Sequence, residues 1–358
     1  MERRQFLKSI LGAILYGVLP APFAGQAHPR ARPGPSVCDV HMHLLGLGPG
    51  NGCFVNADYQ RGIVYRFLNF FVEVDRNGTP EEKDRHYVDR LVNLMNESPV
   101  HRYGILLAMD GIYDDSGNLD RQRTPFYVPN EYLLEVCEKH AKLVPGASVN
   151  PLRRDALDEL EQVSERGAVL IKWIPNSQNI DPSDDRILPF YRRLRELKMP
   201  LLCHGGTEYA VPSTKQSYGN PSLLQAALEE GVKVIVAHCA VDGWDHRGFY
   251  FHRFLDMLED YPNLYGDISA LTMIHKAHRL RYLLDHPDLF DRLYYGSDFP
   301  LQFFPAASPL YFIGRLSTDE AWKIQGIANV LERDVATLRA LNVPDSCLER
   351  GVELVRRS

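Results

Sequence analysis

The sequence predicts an α/β protein, a closed barrel of eight strand–helix units, and three observations predict it. Eight short apolar runs lie along the 358 residues, at 37–43, 103–109, 143–149, 168–174, 200–204, 232–238, 264–268 and 293–298. Charged segments with helical periodicity separate most of them, at 131–142, 155–166, 188–198, 222–230 and 252–259. From the fourth run onward the repeat is about 30 residues, the length of a strand plus its returning helix. Near-continuous apolar strands alternating with helices describe a parallel sheet covered on its outer face. Eight such units close into a (β/α)8 TIM barrel, in which functional residues fall at the C-terminal strand ends. An open, doubly wound sheet would call for a glycine-rich phosphate turn after the first strand. Gly46, Gly48, Gly50 and Gly52 do follow it, but Pro49 and the absence of a helix pattern make them a poor dinucleotide fingerprint.

The N-terminal residues read apart from the barrel. Arg3, Arg4 and Lys8 form a charged head, residues 10–19 a modest apolar stretch, and small residues lead up to Ala27. That is the layout of an export signal. The apolar stretch is shorter than the roughly 20 residues a spanning helix needs, so no stable membrane span is expected in the mature form. Adjacent arginines followed by Phe6, Leu7 and Lys8 resemble the twin-arginine type of signal. The expectation is a signal peptide over 1–27, cleavage after Ala27, the twin-arginine export machinery as a partner, and one barrel domain over 28–358 in the periplasm.

The barrel elements carry two irregularities. The connection between the first two runs is about twice the usual unit length and holds Tyr59, Tyr65, Phe67, Phe70 and Phe71. Insertions at strand C-termini become lids or substrate walls; the same aromatics would equally serve as the insertion's own core or as a face between subunits of a homo-oligomer. A second elaborated loop spans 111–129. Beyond Ser317, a helical tail over 319–341, ended by Pro344, closes the barrel's side.

Composition narrows the function. With a formal charge of -6 and no run of Lys or Arg, nothing is available to neutralise phosphates, which excludes nucleic acid as the main partner and leaves a small molecule. The six cysteines form no CxxC pair, so neither a zinc knuckle nor a redox motif is supported. Cys38, Cys203 and Cys239 sit inside expected strands, where small buried thiols are common, and most of the six are expected to be free.

The chemistry gathers at the strand ends. His41 and His43 are two apart on the first strand, so both imidazoles face one side. His204, His238 and Asp298 close the fifth, sixth and eighth runs. A scattered set of His and Asp, each at the same end of its own strand, is what a metal centre at a barrel mouth requires. Asp298, in Ser-Asp-Phe-Pro, reads alternatively as a helix N-cap. Asp267 ends the seventh run and is a supporting or substrate-facing candidate. Glu208 and His246 are placed to reach substrate by position alone. His86, His101, His140, His252, His275, His278 and His286 fall in charged helical or turn stretches and read as surface.

With these positions placed, the chain resembles the amidohydrolase superfamily, in its amidohydrolase-related (amidohydrolase 2) branch of metal-dependent hydrolases and decarboxylases. The resemblance runs from about Val37 to about Ala340 and rests on His41-x-His43, Lys172 in the fourth run, His204, His238 and Asp298 in Gly-Ser-Asp-Phe-Pro. It implies a distorted (β/α)8 barrel and a divalent metal, Zn2+ first and Mn2+ as the alternative, bound by His41, His43, His204 and Asp298. It implies that Asp298 also takes the proton from the attacking water and returns it to the leaving group. His238 would bind a second metal or orient the substrate carbonyl. Lys172 would be carbamylated and bridge two ions, or remain a lysine that faces substrate beside a single ion; both stay open. The expected reaction is hydrolysis of a C–N or C–O bond at a carbonyl-type centre, with non-oxidative decarboxylation of an aromatic or enol-type acid as the alternative.

Overall fold

The computed structural model describes residues 36–62, 65, 78–303 and 305–356. The expected signal at 1–27 and the aromatics Phe67, Phe70 and Phe71 lie outside the described residues.

All eight expected runs form strands: β1 (Val37–His43), β2 (His101–Leu107), β3 (Leu143–Ala147), β4 (Leu170–Trp173), β5 (Leu201–His204), β6 (Val234–Ala237), β7 (Leu264–Asp267) and β8 (Leu293–Tyr294). They pair in parallel in chain order, as a nearly closed barrel. The five expected helical segments appear as α2 (Asn130–Lys139), α3 (Ala156–Glu165), α4 (Leu188–Glu196), α5 (Gln225–Glu229) and α6 (Tyr250–Asp260). Four more belong to the frame: α1 (Pro80–Glu97) before β2, α7 (Ala277–Leu284) after β7, and the expected tail as α8 (Thr318–Gln325) with α9 (Val330–Ala340). The tail is two helices because Asn329 caps a fresh N-terminus, its side chain accepting from the Leu331 and Glu332 amides.

The long first connection is therefore an insertion followed by an ordinary barrel helix. Thr79 and Glu82 form a reciprocal capping box that starts α1. Tyr87, Val88, Leu91 and Met95 then bury one stripe of an otherwise charged sequence. The two long loops also pair with each other, in a short antiparallel ladder of Phe54 with Tyr127 and Val55 with Phe126.

Alternation along the strands sorts the core into two layers. Ile171, Leu201, Val234 and Val236 pack outward against Leu160, Leu194, Phe251 and Phe254 of the helices. Leu170, Leu202, Ile235 and Ala237 pack with Ile105, Leu107 and Tyr294 inside the barrel. The next inward positions, one step nearer the strand C-termini, are Lys172, His204 and Asp267. On β1 the register shifts between Asp39 and Met42, so that this strand carries one residue more than β2. The bulge lets Val40 join the inner core while its neighbour His41 also faces the barrel axis, which strict alternation forbids.

The seam between β8 and β1 is closed by single bonds rather than a ladder. The Val40 amide donates to the Tyr295 carbonyl (3.0 Å), the Asp298 amide to His41 (2.8 Å) and the His43 amide to Phe299 (2.9 Å). Gly296 makes this approach possible, since a Cβ there would stand 2.6 Å from the Cβ of His41.

All six cysteines are buried and free. No helix among the described residues is long and apolar enough to cross a membrane.

His101 corrects a sequence expectation. It is not at the surface: β2 starts at His101 rather than Tyr103, opposite Val37 of β1, and the ring is buried with its Nδ1 2.8 Å from Ser98 Oγ. Burial, reinforced by Lys142 and Arg339, presses its pKa down to about 3. In the unfolded chain the same group takes its proton near pH 6.5, so between these values the unfolded state binds one more proton and stability falls with falling pH. His101→Asn is expected to flatten that dependence by about 1.4 kcal/mol per pH unit between roughly pH 6 and 4. Denaturant unfolding of both proteins at several pH values measures it, and parallel curves would refute the assignment.

Candidate metal centre

Three strand ends and the seam loop deliver most of the expected residues to one place. His41 and His43 come from β1, Lys172 from β4, His238 from the residue after β6, and Asp298 from the loop that follows β8. His41 Nε2 lies 3.2 Å from His43 Nε2, and His43 Nε2 lies 3.2 Å from Asp298 Oδ1. His41 Nε2 is 3.6 Å from the same oxygen, and the other Asp298 oxygen is 3.9 Å from His238 Nε2. His41, His238 and Asp298 each bring a ligand atom within 4.8 Å of the other two.

The far sides of the His41 and His238 rings are each fixed by a buried acceptor. His41 Nδ1 lies 2.8 Å from Asp267 Oδ2. His238 Nδ1 lies 2.9 Å from the carbonyl of Ser269, which can only accept. Both rings therefore carry the proton on Nδ1 and turn an Nε2 lone pair toward the centre, the arrangement that second partners impose on metal-binding histidines. Asp267 Oδ1 accepts the amides of His238 (2.8 Å) and Ser269 (3.0 Å) and the Ser269 hydroxyl as well. A lone pair at His238 Nε2 is the form of the ring that can serve as a metal ligand.

Electrostatics follow from this packing. Burial lowers the His41 pKa to about 4, with nearby Lys172 adding and Asp267 opposing. Burial also drives His204 and His238 well below the ordinary histidine range. For Asp298, burial alone would raise the carboxyl, but the rings of His238, His43 and His41 overcome it and hold the group well below the usual carboxylate range. Neutral imidazoles and an ionised carboxylate are the forms that bind a divalent cation.

Lys172 is buried with its Nζ 3.1 Å from His41 Nε2, and burial lowers its pKa. His204 reaches the group through His238, with ring centroids 5.2 Å apart. Its Nε2 has no hydrogen-bond partner, and Glu208 Oε2 stands 3.6 Å away. Glu208 is buried, and its Oε1 is held by the amides of Ala210 (2.6 Å) and Val211 (2.9 Å). Asp298 is no helix cap: its φ of 64° is left-handed, and its amide is spent on the seam.

A cavity opens over these groups. His43, Lys172, His204, His238 and Asp298 line its floor, and Tyr59, Tyr65, Met109, Phe126, Ile174 and Met273 its walls. The first insertion thus supplies wall, with Tyr59 OH bonded to the Ala210 carbonyl at 2.7 Å. His246 is exposed, outside the cavity. His275, expected at the surface, is instead largely buried and lines the cavity, because the chain folds inward between β7 and α7. Lys276 beside it escaped the sequence reading altogether, since the stretch from His275 to Arg281 reads as a charged helix start.

The amidohydrolase family model matches residues 38–315. The chain belongs to the amidohydrolase family. Among solved structures, an uncharacterised TIM-barrel protein from Bordetella bronchiseptica is 14% identical, with 90% of this chain and 98% of that one covered and a TM-score of 0.57. A probable 2-pyrone-4,6-dicarboxylic acid hydrolase from Acinetobacter baumannii, with citric acid bound, is 14% identical, with 87% and 99% covered and a TM-score of 0.50. A 2,6-dihydroxybenzoate decarboxylase is 15% identical, with 86% and 100% covered and a TM-score of 0.46. At such identities the likeness is one of fold. No curated protein matches the sequence.

The amidohydrolase family is metal-dependent, and the residues here fit an ion. Four ligands at about 2.0–2.1 Å from one centre stand about 3.3 Å from each other, and the His41, His43 and Asp298 donors are separated by 3.2, 3.2 and 3.6 Å. Asp267→Asn removes the charged acceptor behind His41 and is expected to weaken Zn2+ or Mn2+ binding about 10- to 100-fold. Competition with a chromogenic chelator measures this, and unchanged affinity would show that His41 is not a ligand.

Proposed function

We propose that this protein is a divalent-metal-dependent hydrolase that cleaves a C–N or C–O bond at a carbonyl-type centre of a small molecule. The observation that carries the reading is the Asp298 carboxylate, kept ionised inside a ring of histidines, with one oxygen toward His43 and the other toward His238. His41, His43 and Asp298, with His238 and His204 beside them, would hold Zn2+ or Mn2+, which supplies Lewis-acid polarisation and lowers the pKa of water to about 7. Two ions would require Lys172 as a carbamate; as a free amine it faces a single-ion site.

The protein's own groups handle the proton. The Asp298 oxygen facing His238 takes it from the attacking water and passes it to the leaving nitrogen or oxygen. His41 and His238 compete poorly for it because burial holds both imidazoles below the ordinary histidine range. The apolar walls keep bulk water from the reacting carbonyl. Chelation is expected to abolish turnover of an ester, lactone and amide panel, and re-addition of Zn2+ or Mn2+ to restore it. Asp298→Asn is expected to lower kcat about 100- to 10 000-fold. Hydrolysis indifferent to both treatments would refute the reading.

The same walls favour one second reading. Met109, Phe126, Ile174 and Met273 would strip water from a carboxylate brought to the centre, and desolvation promotes its loss as CO2. That reaction is metal-dependent non-oxidative decarboxylation of an aromatic or enol-type acid. Turnover in 18O-water separates the two, since hydrolysis places the label in product whereas decarboxylation releases CO2 from unlabelled substrate.

We also propose a periplasmic location, reached by twin-arginine export in folded form. The charged head with Arg3 and Arg4 ahead of a short apolar stretch supports this, and a fold without disulfides can form before export. Replacing Arg3 and Arg4 with lysine is expected to retain the protein in the cytoplasmic fraction.

A further inference from the structure

We infer that Lys276 binds an anionic group of the substrate, which makes that substrate a small carboxylate with an apolar body. Lys276 sits in the loop between β7 and α7, only 8% exposed, and lines the cavity shared by His204, His238 and Asp298. A buried ammonium is costly unless an anion hydrogen-bonds to it. Its nearest carboxylate oxygen, Asp242 Oδ2, is 3.9 Å away, beyond hydrogen-bonding reach. That oxygen is itself buried without a hydrogen-bond partner, and it also faces His275 at 3.8 Å. His278 and Arg279 act on Asp242 as well. Burial raises the Asp242 carboxyl while Lys276 and Arg279 pull it back, and no hydrogen bond ties it to Lys276.

The other lysines of the cavity are disposed differently. Lys172 is turned onto His41, and Lys83 is partly solvated. Lys276 therefore offers a largely buried ammonium without a hydrogen-bonded carboxylate, beside walls of Tyr59, Met109, Phe126, Ile174 and Met273. A carboxylate on an aromatic or aliphatic body meets both surfaces: a charge-assisted bond at one, apolar burial at the other. Asp242 acts as the resident counter-charge that a bound carboxylate displaces from its share of Lys276.

This inference rests on the proposed hydrolase site for the place of the reacting group, and its test is a binding measurement that does not need turnover. Calorimetric titration of the full-length, Zn2+-loaded protein with benzoate and with its neutral counterpart benzamide provides the probe. The protein is expected to prefer benzoate at least tenfold. Lys276→Met is expected to erase that preference with benzamide binding unchanged, and Lys276→Arg to keep it. Asp242→Asn is expected to tighten benzoate binding several-fold, because the competing charge is gone. Benzoate affinity unchanged in Lys276→Met, a parallel loss of benzamide affinity, or weaker benzoate binding in Asp242→Asn would each overturn the inference. Metal content and hydrolysis measured on the same samples report separately on the catalytic reading, which can fail while the benzoate preference stands.

Discussion

One buried carboxylate, Asp267, is the constraint from which the rest of the centre follows. Its two oxygens hold the His41 ring, the His238 backbone and Ser269, and Ser269 in turn holds the His238 ring. Burial would make such a carboxyl hard to ionise, but His41 and His238 and the Ser269 hydroxyl outweigh that effect and pull its pKa below the ordinary aspartate range. The anion in turn fixes which nitrogen of His41 carries the proton. His238 has a φ of 56°, and Cys239 and Ala240 follow it at 51° and 50°. Three consecutive non-glycine residues in the left-handed region are strained. The Asp267 bond to the first of them is what keeps the strand end turned inward.

The barrel acts as a positioning device because strand alternation is rigid. Leu170 and Lys172, Leu202 and His204, Tyr265 and Asp267 share inward faces, so the apolar plug and the polar floor above it are consecutive layers of one stack. β1 is the exception, and its bulge is what lets Val40 fill the plug while His41, and with it His43 two residues on, still faces the floor. Chemistry and packing are thus set by the same register.

Most of this frame was legible in the sequence because it is written in apolar periodicity. Each expected strand was found, and His41, His43, Lys172, His238 and Asp298 converge as their strand ends implied. What escaped has physical reasons. α1 was hidden because its buried stripe, from Tyr87 to Met95, lies among acidic and basic residues that mask the helical period. His101 was misjudged since Arg102 beside it is exposed, and a two-residue error in a strand start exchanges barrel bottom for surface. Lys276 and Asp242 belong to loops, whose path depends on tertiary contacts that no local pattern encodes. The β1 bulge is likewise invisible, because it exists only relative to β2.

The seam has a consequence for how the molecule comes into being. The peptide that shuts the ring, from Tyr295 to Phe299, is the one that brings Asp298 to the first histidine pair, and it lies near the end of the family-matched span. A chain still lacking its final eighth strand can hold imidazoles but not the carboxylate that completes the set. Competence and ring completion are therefore one event. An unfinished or frayed barrel is chemically silent.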